Sequence, residues 1–166
     1  MRNKFTFIIT FFFALTLCSC QQHTTTSEIK KLQKQLKSEM KQLQDIENEN
    51  YAEISDNYHF CDSMLQFAPI EKIETYFEKL NLAQAYLLQF KETKPVMEKK
   101  FNYAQQQLDN LLDDIATTYI NDSLANVYLS DEQKVADTLH EQVLYFKDRL
   151  NTQKKELKNL KETLRH

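Results

Sequence analysis

Glycine is absent from all 166 positions of this chain, and proline occurs only twice, at Pro69 and Pro95. Glycine supplies most positive-φ turns, hairpin corners and phosphate-cradling loops. A chain without it is therefore poorly suited to sheets joined by tight turns and to Gly-rich nucleotide sites. Leu, Lys, Glu and Gln, all good helix formers, are abundant instead. The expectation is an all-α fold in a single domain. The formal net charge is −3 with Arg2 and Lys4 counted, and −5 without them. A nucleic-acid binder usually carries a net basic domain, so no nucleic-acid partner is expected.

The first seventeen residues set the destination. A short positive segment, Met1-Arg2-Asn3-Lys4, precedes an apolar run from Phe5 to Leu17, and polar Gln21, Gln22 and His23 follow soon after. A bilayer-spanning helix needs about twenty apolar residues, so this run has the length of a cleavable signal and not of a span. Its end, Leu17-Cys18-Ser19-Cys20, resembles the lipobox of bacterial lipoproteins, with a branched apolar residue three positions before a cysteine and a small residue just before it. The resemblance covers residues 1–20. It implies that the Cys20 thiol receives a diacylglycerol, that the signal is cut before it and that the new amine is acylated. Several acyl chains make a stable anchor. Gln21 stands where many inner-membrane lipoproteins have aspartate, which favours the outer membrane in a cell that has one. The domain organisation expected is then a signal over 1–19, a polar tether over 20–26 and a helical domain over 27–166. With Cys18 removed and Cys20 acylated, Cys61 has no disulfide partner within the chain, and its expected role is that of a small buried hydrophobe.

Within the helical domain, a Thr25 to Glu28 capping box marks the first helix start. Ile29, Leu32, Leu36, Met40, Leu43 and Ile46 follow in steps of three and four. Tyr51, Ile54, Tyr58, Cys61 and Leu65 resume after a one-residue phase slip at Asn50. Ser55-Asp56-Asn57 leaves open whether the helix continues there or one helix ends and another is capped. Pro69 suits a first helical turn, and Ile70, Ile73, Phe77, Leu80, Leu87 and Phe90 form a second stripe. Lys91 to Lys94 ahead of Pro95 reads as a turn. A single kinked helix is the alternative, because the heptad phase carries across Pro95 through Phe101, Leu108, Leu112 and Ile115. Met97, Phe101, Ala104, Leu108, Leu111 and Ile115 make the third stripe. Asn121-Asp122-Ser123 breaks the pattern, and Ser130 to Gln133 is a further capping box. The final stretch has the clearest heptads, with Ala136, Val143, Leu150, Leu157 and Leu164 at one position and Leu139, Phe146, Gln153 and Leu160 at the other.

The architecture these stripes predict is an elongated antiparallel helical bundle of three to four long helices with a coiled-coil stalk. In the four-helix version a shorter middle hairpin thickens one part into a head, where Tyr51, Tyr58, Phe60, Phe67, Phe77, Phe90, Phe101 and Phe146 gather. That version returns the C-terminus to the anchored end and joins two lysine stretches. Lys30, Lys31, Lys34 and Lys37 of the first helix would meet Lys154, Lys155, Lys158 and Lys161 of the last, as a basic patch for anionic headgroups or polymers. In the three-helix version the patch comes apart. A solvated helix exterior explains the same lysines.

Catalytic chemistry finds little support. Asp56 with His59, and Asp137 with His140, sit at the i, i+3 spacing used by di-iron bundles, but those sites use glutamate and draw bridging glutamates from further helices. Neither a metal nor another cofactor is expected. A nucleophile elbow or oxyanion loop ordinarily requires glycine, so a non-enzymatic protein is expected. Asp62-Ser63-Met64, Asp122-Ser123-Leu124 and Asp137-Thr138-Leu139 resemble the acidic-hydroxyl-aliphatic triplet at which one group of Gram-negative bacteria O-glycosylates exported proteins. That resemblance implies Ser63, Ser123 and Thr138 as candidate sugar sites. The function expected is a membrane-anchored envelope lipoprotein acting as a structural or protein-interaction helical module, with a protein partner or self-association through helical seams. The alternatives are a periplasmic chaperone-like client or ligand binder and, more remotely, a metal-binding helical bundle.

Overall fold

The fold is known from a computed structural model that describes residues 25–165; the expected signal, the candidate lipidation residue Cys20 and most of the expected tether lie outside the described residues. The described residues form an all-α bundle of three helices. Helix α1 covers 25–64 and consists of α-helix over 25–45, a π-helical turn at Ile46–Tyr51 and α-helix again at Ala52–Met64. A 3₁₀ turn, Leu65–Phe67, leads to α2 at Ile70–Ala116, and α3 is Asp122–Leu164.

The π turn is the structural form of the phase slip seen at Asn50. The buried positions of α1 include Leu36, Glu39, Leu43, Ile46, Asn50, Ile54, Asn57 and Cys61. Steps of three and four alternate until Ile46, after which two four-residue steps follow in succession. One extra residue in a wider turn keeps both halves of the stripe on the same side. The Ser55-Asp56-Asn57 segment stays helical, since buried Ile54, Asn57 and Cys61 keep the spacing through it.

Ala68 is extended, with ψ 150°, as the residue before a proline prefers, and α2 starts just after Pro69. Pro95 then lies inside α2, which corrects the expected turn at Lys91 to Lys94 and sets aside the four-helix topology. Proline deprives the Lys91 carbonyl of its helical partner, a loss of about 3 kcal/mol inside a helix. Here both Lys91 and Pro95 are exposed, so water can reach that carbonyl. On the opposite face Leu87, Phe90, Met97 and Phe101 are all buried. Burying each such side chain contributes roughly 1.5–3 kcal/mol, which outweighs the proline defect. The core phase crosses Pro95 through Lys94, whose ammonium lies 3.0 Å from Glu47 of α1 and 2.8 Å from Glu98. Burial works against that charge, but the hydrogen bonds and charges of Glu98 and Glu47 overcome it and hold the Lys94 pKa above the usual lysine value.

Helix α2 ends in a Schellman turn without glycine. Thr118 takes the left-handed conformation at φ 56°, Tyr119 N–H donates to the Asp114 carbonyl at 2.9 Å, and Thr118 N–H to the Ile115 carbonyl at 3.2 Å. Asn121 caps α3 by accepting the Leu124 N–H at 2.9 Å. The last helix thus begins eight residues before the capping box at Ser130, because Ala125 and Leu129 extend the buried series of Ala136 and Leu139 toward the N-terminus.

The chain packs as two compact units, each using one stretch of all three helices, so neither is a two-helix stalk. The described part of the first unit is 25–37 with Asn102–Asp137, and its core holds Ile29, Leu32, Leu36, Ala104, Leu108, Leu111, Ile115, Ala125, Leu129 and Ala136. The second unit comprises Ser38–Phe101 and, among described residues, 138–165. There Phe90 sits between Tyr51 and Phe146, with ring centroids at 5.9 and 5.3 Å. All eight aromatics expected to gather belong to this unit, although Phe67 and Phe77 point to solvent. Tyr76 takes the core position expected of Phe77, which lies one residue off the phase of Leu80, Ala83 and Leu87.

Helix directions follow from the cross-helix pairs of the second unit. Glu47 with Lys94 and Tyr51 with Phe90 make α1 and α2 antiparallel. Glu156 with Lys79 and Tyr145 with Gln89 make α2 and α3 antiparallel as well. Glu39 with His140, Asn50 with Asn151 and Glu53 with Lys154 run in the same order on both chains, so α1 and α3 are parallel.

Candidate functional site

Polar residues occupy several core positions of the α1–α3 seam. Glu39, Asn50 and Asn57 on α1 and Gln153 on α3 are buried. In the second unit the Glu39 carboxylate lies 2.8 Å from His140 Nδ1. Asn50 Nδ2 donates to Asn151 Oδ1 at 3.1 Å, and Lys161 Nζ donates to Asn57 Oδ1 at 2.8 Å. In the first unit Thr25 Oγ1 donates to Asn126 Oδ1 at 3.1 Å. A buried polar group is satisfied in one register only, so these pairs select the parallel alignment of α1 with α3. The stripe read from the sequence runs through Met40 and passes over Glu39, whereas the structure buries Glu39. Strict alternation, three residues on from Leu36 and four short of Leu43, points to position 39.

Open grooves among the described residues flank this seam. In the first unit one of about 530 Å³ is lined by Glu28, Lys31, Leu32 and Gln35 of α1 with Asn126, Leu129, Ser130 and Gln133 of α3. In the second unit Asp45, Glu49 and Lys147 border a groove of about 260 Å³ at the π turn. Another of about 210 Å³ lies among Glu53, Asn57, Lys158, Lys161, Glu162 and Arg165. Polar and charged side chains predominate in all three.

The two lysine stretches have separate neighbours. Lys30, Lys31, Lys34 and Lys37 are exposed on α1 in the first unit. Lys154 pairs with Glu53 at 2.6 Å, Lys161 lies 5.1 Å over the Phe60 ring, and Lys155 and Lys158 are exposed beside them on α3. The end of α3 therefore packs on residues 53–61 of α1. The four-helix topology on which a joint basic patch was premised does not form, since α2 is continuous through Pro95. The Leu157 and Leu160 seam also finds its partner within the chain, as both are buried and the Leu157 carbonyl lies 3.7 Å from Cys61 Sγ.

Ser63, Ser123 and Thr138 are all exposed on helices, with Ser63 Oγ donating to the Phe60 carbonyl at 2.8 Å. The acid and histidine pairs do not converge. His140 turns to Glu39, Asp137 accepts from Gln133 at 2.8 Å, and exposed His59 stacks edge-on to Tyr58. Among the described residues no group of three His, Cys, Asp or Glu side chains is placed to hold a metal ion. Cys61 is fully buried, and burial pushes its thiol pKa up despite the nearby Lys161 charge. Large apolar side chains also lie off the seams, among them Phe67 at 72% exposed, Ile70 at 87% and Tyr119 at 82%. No described helix is long and apolar enough to cross a membrane.

Together these features define an all-α, three-helix bundle with a polar seam and apolar residues on its exterior. No protein family matches the chain, and neither the curated proteins nor the solved structures yield a similar one.

Proposed function

We propose that this protein is an envelope lipoprotein, anchored through acylated Cys20, whose helical domain serves as a structural or protein-interaction module outside the cytoplasm. The anchor rests on the signal and lipobox-like residues 1–20. The interaction role rests on one observation. The three helices fill their own seams, yet Phe67, Ile70, Phe77, Leu88, Val96 and Val127 are at least half exposed. A contiguous apolar patch marks contact with another molecule, and Phe67, Ile70 and Phe77, close in sequence around the start of α2, are the candidates for one. The outer membrane is the favoured location where the cell has one, because Gln21 is not aspartate.

Crosslinking the full-length chain in its native host, followed by pull-down and mass spectrometry, tests the reading. One dominant envelope protein or a self-crosslink is the result expected. A broad spread of unrelated exported proteins would favour a chaperone-like binder instead. Cys20→Ala should abolish incorporation of labelled fatty acid, and continued labelling would refute the anchor assignment.

A further inference from the structure

The chain between the proposed anchor and the described fold is very short. Only residues 21–24 separate Cys20 from Thr25, which is already buried and donates to Asn126 at 3.1 Å. Five extended Cα steps reach at most about 17 Å. In the first unit Thr25 of α1 pairs with Asn126 of α3, and the residues that share a groove with Glu28 to Gln35 are Asn126 to Gln133, which run on from that pair on α3 as 28–35 do on α1, so the two run parallel there too. The start of α3 consequently points the same way as the start of α1. From Asn126 back to Asp122 the helix rises about 6 Å toward the anchored end. The α2–α3 turn of residues 117–121 projects further still.

Exposed apolar groups lie on that turn and on the first turns of α3. Tyr119 is 82% exposed, Leu124 is partly exposed and Val127 is more than half exposed, all within the first unit. A Schellman turn commonly folds the residue after its left-handed position back onto the helix. Thr118 holds the left-handed position here, yet Tyr119 stays out in solvent, fixed by its N–H to the Asp114 carbonyl. Tyrosine is enriched where a membrane meets water, with its ring among the headgroups and its hydroxyl hydrated. Asp113, Asp114 and Asp122 flank the turn and would be repelled by an anionic surface.

We infer that the α2–α3 turn rests in the headgroup layer of a zwitterionic bilayer, with Tyr119 as the inserted side chain and Leu124 and Val127 behind it. The inference rests on acylation of Cys20 as proposed above. It assigns the turn to the lipid surface as a second, non-covalent contact beside the anchor.

The chain contains no tryptophan, so a single introduced one is a clean reporter. Tyr119→Trp and, as a control in the same unit, Tyr103→Trp would be made in the full-length protein. Tyr103 is 62% exposed, so neither change disturbs packing. Tyr103 lies about 20 Å along α2 from its end, beyond the headgroup layer if the turn faces the bilayer. Mass spectrometry of the purified protein first reads the acyl chains on Cys20. The acylated protein is then reconstituted into phosphatidylcholine and phosphatidylethanolamine vesicles with brominated acyl chains.

Emission from Tyr119→Trp should shift to the blue and be quenched at least about twofold more than that of Tyr103→Trp. Equal quenching of the two, or none at position 119, in protein shown to carry its acyl chains would overturn the inference while leaving the anchor intact. Absence of acyl chains on Cys20 would overturn the anchor, and the inference with it.

Discussion

The two units are built on one heptad rhythm but hold together differently. In the first, the core is aliphatic, with Ala104, Ala125 and Ala136 among its buried residues, and the cross-helix polar contacts include Thr25 with Asn126 and Gln33 with Asp109 at 2.6 Å. In the second, Tyr51, Phe90 and Phe146 form an aromatic cluster, and charged pairs join each helix to another through Glu47 with Lys94, Glu53 with Lys154 and Glu156 with Lys79. The spacing of apolar residues is enough to bring helices together. The size and charge of what fills those positions then decide how firmly and in which register each stretch is held.

The largest effect should come from the aromatic cluster. Phe90→Ala is expected to destabilise the fold by about 4 kcal/mol, against about 3 kcal/mol for Leu108→Ala in the first unit. Urea denaturation of both variants measures this. Equal losses would mean that the aromatics add nothing beyond ordinary burial.

The polar seam gives a smaller but sharper contrast. His140→Ala leaves the buried Glu39 carboxylate without its imidazole, and a loss of about 1–2 kcal/mol is expected, moderated by the partial exposure of His140. Glu39→Leu should be neutral or stabilising, because it removes the buried polar group altogether. If Glu39→Leu loosens the bundle more than His140→Ala, the carboxylate contributes more than a satisfied pair. In the first unit, Thr118→Gly should raise stability by about 1 kcal/mol, since a β-branched residue at φ 56° is strained where glycine is not. No gain in the urea midpoint would show that the surrounding turn relieves the strain.

The smallest effects concern pH, and they divide by unit. Cys61, Tyr58 and Lys94, all in the second unit, have pKa values raised in the fold. Burial is the main cause for Cys61 and for Tyr58, with Asp62 adding to the latter. Each group retains its proton in the fold at a pH where the unfolded chain has lost it. Stability is therefore full below the ordinary values of 9.0, 10.0 and 10.5 and declines as pH rises through the folded ones. Glu132, in the first unit, is raised by burial and by Asp131, and it acts with the same sign just above 4.5. Cys61→Ala should flatten the alkaline decline of the urea midpoint and Glu132→Gln the acidic one. An unchanged slope in either variant would assign the titration to other groups.

Much of the fold was legible in the residues themselves. The buried series of α3, from Ala136 to Leu160, is the heptad series of the sequence, and the slip at Asn50 is the π turn. Pro95 was harder, because a local signal for a turn competed with burial on both sides of it, and burial is a sum over residues far apart in the chain. The surface was harder still. Phe77 and Ile70 fit an apolar stripe, yet both are exposed, and only the phase set by Leu80, Ala83 and Leu87 excludes Phe77 from the core. The exposed Tyr119 has no periodic signal, since it lies in a turn.

The sequence alone determined the class of fold and the periodic core, because the absence of glycine and the three-and-four spacing act on each helix locally. Among the described residues, tertiary structure decided the number of helices and the parallel alignment of α1 with α3. Those depend on which buried polar groups find partners and how much apolar surface a continuous α2 covers, and both are properties of helices in contact.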